Sequence, residues 1–185
     1  MKPTLLVVDI QNDYFQGGKM ELVDMESAAG NAKELISLFR KNCWEVVFIQ
    51  HLAVKPTASF FIHGTYGAEI HESIHPIEVE TVIIKNYPNS FRDTNLHQHL
   101  QTSQVTDLVI CGAMTHMCID TTTRAAADLG YSCTLISDAC ATRDLVFNNQ
   151  KVTAANVQLS YMAALDGTFA TVISTKQFLD LNSQA

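Results

Sequence analysis

The sequence has no apolar run long enough to cross a bilayer and no cluster of lysine and arginine. Its first apolar run, residues 5–8, stops at Asp9 and is too short for the core of a signal peptide. The formal net charge of −7 disfavours binding to nucleic acid or to an anionic membrane surface. We therefore expect a cytoplasmic protein whose partner is a small-molecule substrate, with no nucleic acid and no membrane.

The sequence also lacks the cysteine spacing of a disulfide framework, because its five cysteines are scattered and odd in number. This pattern is typical of reduced thiols. We interpret Cys43, Cys111, Cys133 and Cys140 as core or near-core residues. No linker, repeat or low-complexity segment interrupts the chain, so the 185 residues are predicted to form a single domain, 1–185.

Strand-like and helix-like patterns alternate along the chain, which is typical of a parallel sheet built from βαβ units. We predict strands at about 4–9, 45–50, 81–85, 107–111, 132–137 and 169–173, and helices at about 26–42, 93–101, 117–129, 147–164 and from about 175. Right-handed crossovers then give a three-layer α/β/α sandwich with a mainly parallel sheet of about six strands. The irregular stretch at about 52–80 contains Phe60, Phe61 and Tyr66, and we interpret it as part of a pocket wall.

Three chemically reactive side chains lie at or just beyond the ends of predicted strands. Asp9 and Lys85 each end an apolar strand, and Cys118 follows the turn at Gly112 near the start of a helix. Ligands of open α/β sheets bind outside the carboxyl ends of the strands. A helix start also favours a thiolate, so we expect the thiol pKa to be lowered. The pattern predicts a nucleophile, a base and a cation along one edge. Taken singly, each has a structural alternative: a buried thiol, a capping carboxylate or a surface lysine.

Four parts of the sequence stand out together: LVVDIQND at 6–13, Lys85, GAMTHMCI at 112–119 and DACA at 138–141. In these parts the chain resembles the isochorismatase-like superfamily of cysteine hydrolases, which includes nicotinamidases. The resemblance implies strand order 3-2-1-4-5-6, a homo-oligomer (dimer or higher) and a catalytic triad of Asp9, Lys85 and Cys118. It further implies a cis-peptide between Ala113 and Met114, and an oxyanion hole formed by the backbone N–H groups of Met114 and Cys118.

Residues that flank these motifs are candidates for lining a substrate pocket, because an aromatic wall suits a small, flat amide. They are Gln11, Phe15, Tyr87, Phe91, Thr115 and His116. Packing in the core is at least an equal alternative for Phe15 and Phe91.

Histidines are frequent in the chain, and four of the seven lie in or beside the irregular stretch: His51, His63, His71 and His75. The resemblance offers a comparison, since nicotinamidases hold a metal with an Asp-x-His pair after the second strand. Here the aligned positions are His51 and Ala53, so the pair is broken. We predict no metal and no cofactor, and interpret these histidines as surface or hydrogen-bonded residues.

The predicted function is cleavage of an amide-type C–N bond through a thioester on Cys118, with Asp9 as general base and acid and Lys85 as electrostatic partner. Three alternatives stay open. They are isochorismatase-type hydrolysis, a metal-dependent hydrolase that uses Asp9 and Asp13 near the loop histidines, and a catalytically silent homologue that only binds a small molecule.

Overall fold

The computed structural model describes residues 2–182. Its strands are β1 (Thr4–Val8), β2 (Val46–His51), β3 (Thr81–Lys85), β4 (Asp107–Ala113), β5 (Ser132–Ala141), β6 (Leu145–Phe147), β7 (Gln150–Val152) and β8 (Thr171–Ile173). Its α-helices are α1 (Met25–Lys41), α2 (Leu96–Thr102), α3 (Asp120–Asp128), α4 (Ala154–Leu165) and α5 (Thr175–Asn182). Short 3₁₀ turns lie at Asn12–Tyr14, Tyr66–Ala68 and Glu72–Ile74, and a π-helical turn at Thr115–Ile119.

Six strands form one parallel sheet in the order β3-β2-β1-β4-β5-β8. The predicted three-layer architecture and strand order are confirmed; the sixth strand is β8 because a hairpin precedes it. The order reverses between β1 and β4, which are hydrogen-bonded neighbours. Crevices form at such a reversal, so the carboxyl ends of β1 and β4 are where a ligand is expected.

Apolar side chains on both faces of the sheet explain why its strands are almost continuously hydrophobic. One face packs against α1 and α5, through residues such as Leu35 and Phe178. The other face packs against α2, α3 and α4, through residues such as Leu100, Ala126 and Leu165. The helix α1 is amphipathic, with its buried residues at helical spacing: Met25, Ala28, Ala29, Ala32, Leu35, Ile36 and Phe39.

The predicted helix at 147–164 is wrong over its first turns, because β6 and β7 form an antiparallel hairpin there. Asn148 and Asn149 form its turn with positive φ angles of 49° and 59°, a conformation that asparagine tolerates better than most residues. Helix α4 therefore starts only at Ala154, after Thr153 caps it by accepting a hydrogen bond from Asn156 N.

Two further details differ from the sequence-based expectations. The predicted helix at 117–129 is preceded and partly replaced by the π-helical turn, so that regular α-helix begins at Asp120. Cys43 is exposed rather than near the core, whereas the other four cysteines are buried. Within residues 2–182, none of the helices has the length and apolar character needed to cross a membrane.

Candidate active site

Asp9 follows β1 directly and has a positive φ of 52°, which is unusual for a residue with a side chain. Beside it, Gly112 in β4 has a φ of 126°, and a Cβ there would lie 1.9 Å from Val8 O. Only glycine allows the two strands to approach this closely at this point. The close approach brings the end of β1 next to the turn that carries Cys118.

Cys118 lies in the π-helical turn that follows β4. The turn is closed by Ile119 N, which donates to Met114 O at 3.2 Å, a spacing of five residues. The peptide bond between Ala113 and Met114 is cis. The turn places the Cys118 side chain at the edge of the sheet, and Cys118 is only 4% exposed there.

Lys85 joins Asp9 and Cys118 into one cluster, which we call the trio. Its Nζ lies 2.7 Å from Asp9 Oδ2 and donates a hydrogen bond to Cys118 Sγ at 3.1 Å. The side chains of Asp9 and Lys85 are fully buried. Apart from the ammonium contact, neither oxygen of Asp9 has a well-directed hydrogen bond among residues 2–182. The trio therefore combines a thiol, a cation and a carboxylate with capacity to accept a proton.

Electrostatics keep the resting sulfur protonated. Burial and then the negative charge of Asp9 raise the pKa of the Cys118 thiol, and the ammonium of Lys85 only partly opposes them. This direction is opposite to the expected lowering by a helix start. Burial would lower the pKa of Lys85, but the negative charge of Asp9 and the contacts with Asp9 and Cys118 outweigh it, so the pKa of Lys85 rises and the amine stays charged. Cys118 thus needs a base to become nucleophilic.

His51 is a fourth member of this cluster that we interpreted from the sequence only as a surface or hydrogen-bonded residue. It pairs with Lys85 in the β2–β3 register, and its Nδ1 lies 3.0 Å from Lys85 Nζ and 4.0 Å from Asp9 Oδ2. Burial lowers the pKa of His51. The negative charge of Asp9 opposes this effect and the positive charge of Lys85 adds to it, so the net change is downward and the ring is neutral at pH 7. Its position at a strand end, like those of Asp9 and Lys85, is the signal that could have identified it.

The residues present do not fit the metal site of nicotinamidases, because position 53 is alanine and cannot ligate. One group of potential ligands does lie together: atoms of Asp9, His51 and Cys118 are all within 4.8 Å of one another. The Lys85 ammonium, however, is within 3.1 Å of each of the three. The cation among these donors is therefore the protein's own lysine.

Part of the irregular segment after β2 forms a cavity wall, as predicted. The cavity has a volume of about 380 Å³ and lies beside the trio, because His51 lines it together with Phe60, Phe61, Tyr87 and Met117. A larger cavity of about 670 Å³ is lined by Thr142 and Gln158, among others. No member of the trio lines either cavity: the smaller one adjoins the trio through His51, and the larger one adjoins the turn that carries Cys118 through Thr142, whose Oγ1 contacts His116.

Of the six residues that we predicted to line a substrate pocket, only Tyr87 lines the cavity beside the trio. The carbonyl oxygen of Tyr87 accepts a hydrogen bond from Lys85 at 3.1 Å. Gln11 is fully buried and holds β2 in place, since its amide bonds both the N–H and the carbonyl of His51. Phe15 is buried and stacks on His71 at 3.6 Å between ring centroids.

Of the other three, Thr115 and His116 belong to the π-helical turn and Phe91 lies outside it. Phe91 packs against Tyr131. Thr115 is buried and donates to Gln158 Oε1 at 2.6 Å. His116 is half-buried, and its Nδ1 lies 2.7 Å from Thr142 Oγ1.

Tyr14 is a neighbour of the trio that the sequence did not single out. It is 1% exposed, and burial raises its pKa, followed by the negative charges of Cys118 and Asp9. Its ring packs against Phe61 with centroids 4.6 Å apart. Tyr14 belongs to the 3₁₀ turn at Asn12–Tyr14 and Phe15 follows it, and no sequence signal distinguishes these two adjacent aromatic residues.

Comparison with known proteins assigns the chain and its fold to a class of hydrolases. The isochorismatase domain family matches residues 3–177. The chain is 50% identical to the isochorismatase family protein YddQ of Bacillus subtilis, over 97% of this chain and 99% of that one. It superposes with a TM-score of 0.94 on an isochorismatase-like hydrolase from Oleispira antarctica, at 45% identity and with 97% and 96% of the two chains covered.

The protein belongs to the isochorismatase family of hydrolases. A more distant relative is the streptothricin hydrolase of Streptomyces noursei, which is 33% identical over 76% of this chain and 50% of its own length. The family includes amide-cleaving members, which agrees with the chemistry available to the trio.

Proposed function

We propose that the chain is a cysteine hydrolase that cleaves an amide-type C–N bond of a small molecule through a thioester on Cys118. The observation that supports it most directly is the buried ammonium of Lys85, 2.7 Å from Asp9 Oδ2 and 3.1 Å from Cys118 Sγ. A binding protein has no use for a thiol held beside a base and a cation in a dry site. Kinship with streptothricin hydrolase adds support for hydrolytic chemistry.

In the first half of the reaction, the sulfur of Cys118 attacks the carbonyl carbon while Asp9 accepts the thiol proton. This acceptor is required because the pKa of the thiol is raised. The N–H groups of Met114 and Cys118, at the edge of the sheet, are proposed to hold the oxyanion. When the tetrahedral intermediate collapses, the C–N bond breaks, and Asp9 returns the proton to the departing amine or ammonia.

In the second half, water attacks the thioester carbonyl while Asp9 accepts one of its protons. The C–S bond then breaks, the carboxylic acid leaves, and the proton returns to the sulfur. Lys85 stays charged throughout, so it can stabilise negative charge on Asp9 or on Cys118 in turn. The net reaction converts an amide and water into an acid and an amine.

The proposal is tested with a panel of small amides, carbamates and ureides, assayed for released ammonia or amine. We expect turnover of at least one compound by the wild type and none by Cys118→Ala. Mass spectrometry of a quenched reaction should find an acyl group on Cys118. Turnover that persists in Cys118→Ala would contradict the thioester route.

A further inference from the structure

Arg143 lies at the same edge of the sheet as the trio. It lies two residues after Ala141, the last residue of β5, and Ala141 pairs with Ala113 of β4. The intervening Thr142 is fixed on both sides, since its Oγ1 lies 2.7 Å from His116 Nδ1 and its carbonyl oxygen accepts from Val23 N at 2.9 Å. Arg143 is therefore held next to the turn that carries Cys118.

Arg143 differs from the other arginines of the chain, all of which lie within residues 2–182. Three of the four pair with a carboxylate, namely Arg40 with Glu80, Arg92 with Asp93 and Arg124 with Asp120. Arg143 makes no ion pair in this part of the chain, and its buried Nε has no hydrogen-bond partner there. Its sequence neighbour Asp144 pairs instead with Lys151, at 2.6 Å.

A shortage of acidic residues does not explain this, because the chain has 19 acidic and 12 basic residues. Leaving a buried donor of a charged group without a partner costs free energy, and such a group in a folded protein calls for an explanation. An anionic ligand supplies one, since a guanidinium binds a carboxylate with two parallel hydrogen bonds.

The positive charge of Arg143 acts on residues around Cys118. Burial lowers the pKa of His116, and the charge of Arg143 lowers it further. The same charge opposes the rise in the pKa of Tyr14, which burial, Cys118 and Asp9 produce. His116 is two residues from the nucleophile, and Tyr14 responds to both Cys118 and Arg143. The guanidinium thus lies near enough to His116 and Tyr14 to affect the pKa of both side chains.

We propose that Arg143 binds a carboxylate of the substrate, and hence that the substrate is a small amide or ureide that also carries a carboxylate. The inference rests on the proposed function and adds the substrate class. It assigns the scissile carbonyl to Cys118 and the anionic end to Arg143. Neutral amides of the same shape would leave this guanidinium, whose Nε is buried, unpaired and should be poor substrates.

The first test compares two alkylating reagents that differ in charge, iodoacetate and neutral iodoacetamide, on the intact protein. Rates at Cys118 are measured by peptide mapping, with the exposed Cys43 as internal reference. We expect Arg143→Gln to lower the rate of Cys118 alkylation by iodoacetate about tenfold, and to change the rate with iodoacetamide less than about twofold. Arg143→Lys, which keeps the charge, should recover part of the loss. Lys176→Gln is the control, because it removes one positive charge from an exposed helix.

Each result is decisive. An equal effect of Arg143→Gln on both reagents, or an equal effect of Lys176→Gln, would overturn the carboxylate site and leave the proposed hydrolase standing. If neither reagent modifies Cys118 in the wild type, both the proposed function and this inference fail.

The second test distinguishes a substrate carboxylate from any small anion. Succinamate, butyramide and inorganic phosphate are compared as protectants of Cys118 against iodoacetamide; the first two differ by a carboxylate in place of a methyl group. We expect succinamate to protect at least about tenfold better than butyramide, and Arg143→Gln to abolish the difference. Protection by phosphate equal to that by succinamate would replace the carboxylate site with a general anion site, against the proposal.

Discussion

Asp9 and Asp13 are two buried carboxylates four residues apart, yet their hydrogen-bond partners differ. Asp13 is held by the backbone: its Oδ2 accepts from Phe61 N at 2.7 Å and its Oδ1 from Lys19 N at 3.2 Å. The side chain of Asp9 lies against the ammonium of Lys85, with His51 and Cys118 nearby, and has no such backbone donors among residues 2–182. The Asp13 carboxylate thus joins backbone segments, whereas the Asp9 carboxylate lies beside a thiol and a cation.

The difference explains two roles within one motif. Asp13 ties the segment after β2 to the segment after β1, and Gly67 packs so closely on it that a Cβ would lie 2.2 Å from Asp13 Oδ1. It therefore shapes the wall of the cavity from a distance. Asp9 lies inside the site and is assigned the proton transfers. The following experiments test this contrast, in order of expected effect.

The largest effect is expected for Asp9→Asn. An amide cannot accept the thiol proton, so kcat/KM should fall by about 10³-fold or more, as for loss of a general base. The rate of Cys118 alkylation at neutral pH should fall as well, because the variant has no carboxylate to take the thiol proton as the sulfur reacts, even though loss of the Asp9 charge removes one cause of the raised thiol pKa. Circular dichroism should show a retained fold. A variant with more than about a tenth of wild-type kcat/KM would remove Asp9 from the mechanism.

Gly112→Ala tests the close approach that brings Asp9 to Cys118. The added Cβ would lie 1.9 Å from Val8 O, and the residue has a φ of 126°. We expect the free energy of unfolding to fall by at least about 3 kcal/mol, measured by urea denaturation. Gly30→Ala is the matched control, because nothing lies within 4 Å of a Cβ at that helical position. An unchanged midpoint for Gly112→Ala would contradict the described packing.

Asp13→Asn provides the other side of the comparison. The variant loses part of two charge-assisted hydrogen bonds to Phe61 N and Lys19 N, so we expect about 2 kcal/mol of destabilisation. In the protein that is still folded, the alkylation rate of Cys118 should stay within about threefold of the wild type. A loss of thiol reactivity as large as that in Asp9→Asn, with unchanged stability, would show that the two acids share one role.

The smallest effect on kcat/KM is expected for substitution of His51, and it should depend on pH. The lowered pKa of His51 keeps the ring neutral, so that Nδ1 accepts from Lys85. We expect His51→Leu to reduce kcat/KM about tenfold, and His51→Asn, which retains an acceptor, to reduce it less. As pH falls below the ordinary histidine value towards the lowered one, wild-type activity should decline through protonation of His51, a step that His51→Asn lacks.

Stability should follow the same sign. The unfolded chain binds a proton at His51 more readily than the folded one, so the free energy of unfolding decreases as pH falls through this interval. Comparing denaturation of the wild type and His51→Asn at pH 7 and about pH 5 measures this contribution. A larger acid-induced loss of stability in His51→Asn than in the wild type would contradict the assigned direction.

Sequence patterns predicted the sheet well because strands such as β1 and β4 are apolar throughout and are bounded by polar residues. They failed at the β6–β7 hairpin, where strands of three residues are too short to show a period and residues 145–152 were divided between a loop and a helix. The local signal was present in Asn148 and Asn149, which favour a tight turn with positive φ.

Within the site, strand-end positions indicated where Asp9, Lys85 and Cys118 come together. Two properties could not be obtained in this way. The direction of the Cys118 pKa depends on how completely the sulfur is buried, which only the packed structure defines. The choice between Tyr14 and Phe15 depends on one 3₁₀ turn, and adjacent aromatic residues give no pattern that resolves it.

Lys85 has three N–H bonds but four acceptors within 3.1 Å: Asp9 Oδ2, His51 Nδ1, Tyr87 O and Cys118 Sγ. One acceptor is therefore always left over, and rotation about the final C–N bond changes which one it is. As negative charge passes from the carboxylate to the sulfur and back, the ammonium can follow it by turning, without displacing a single heavy atom. A site arranged in this way needs little reorganisation when charge moves, which is the property that keeps an electrostatic barrier low.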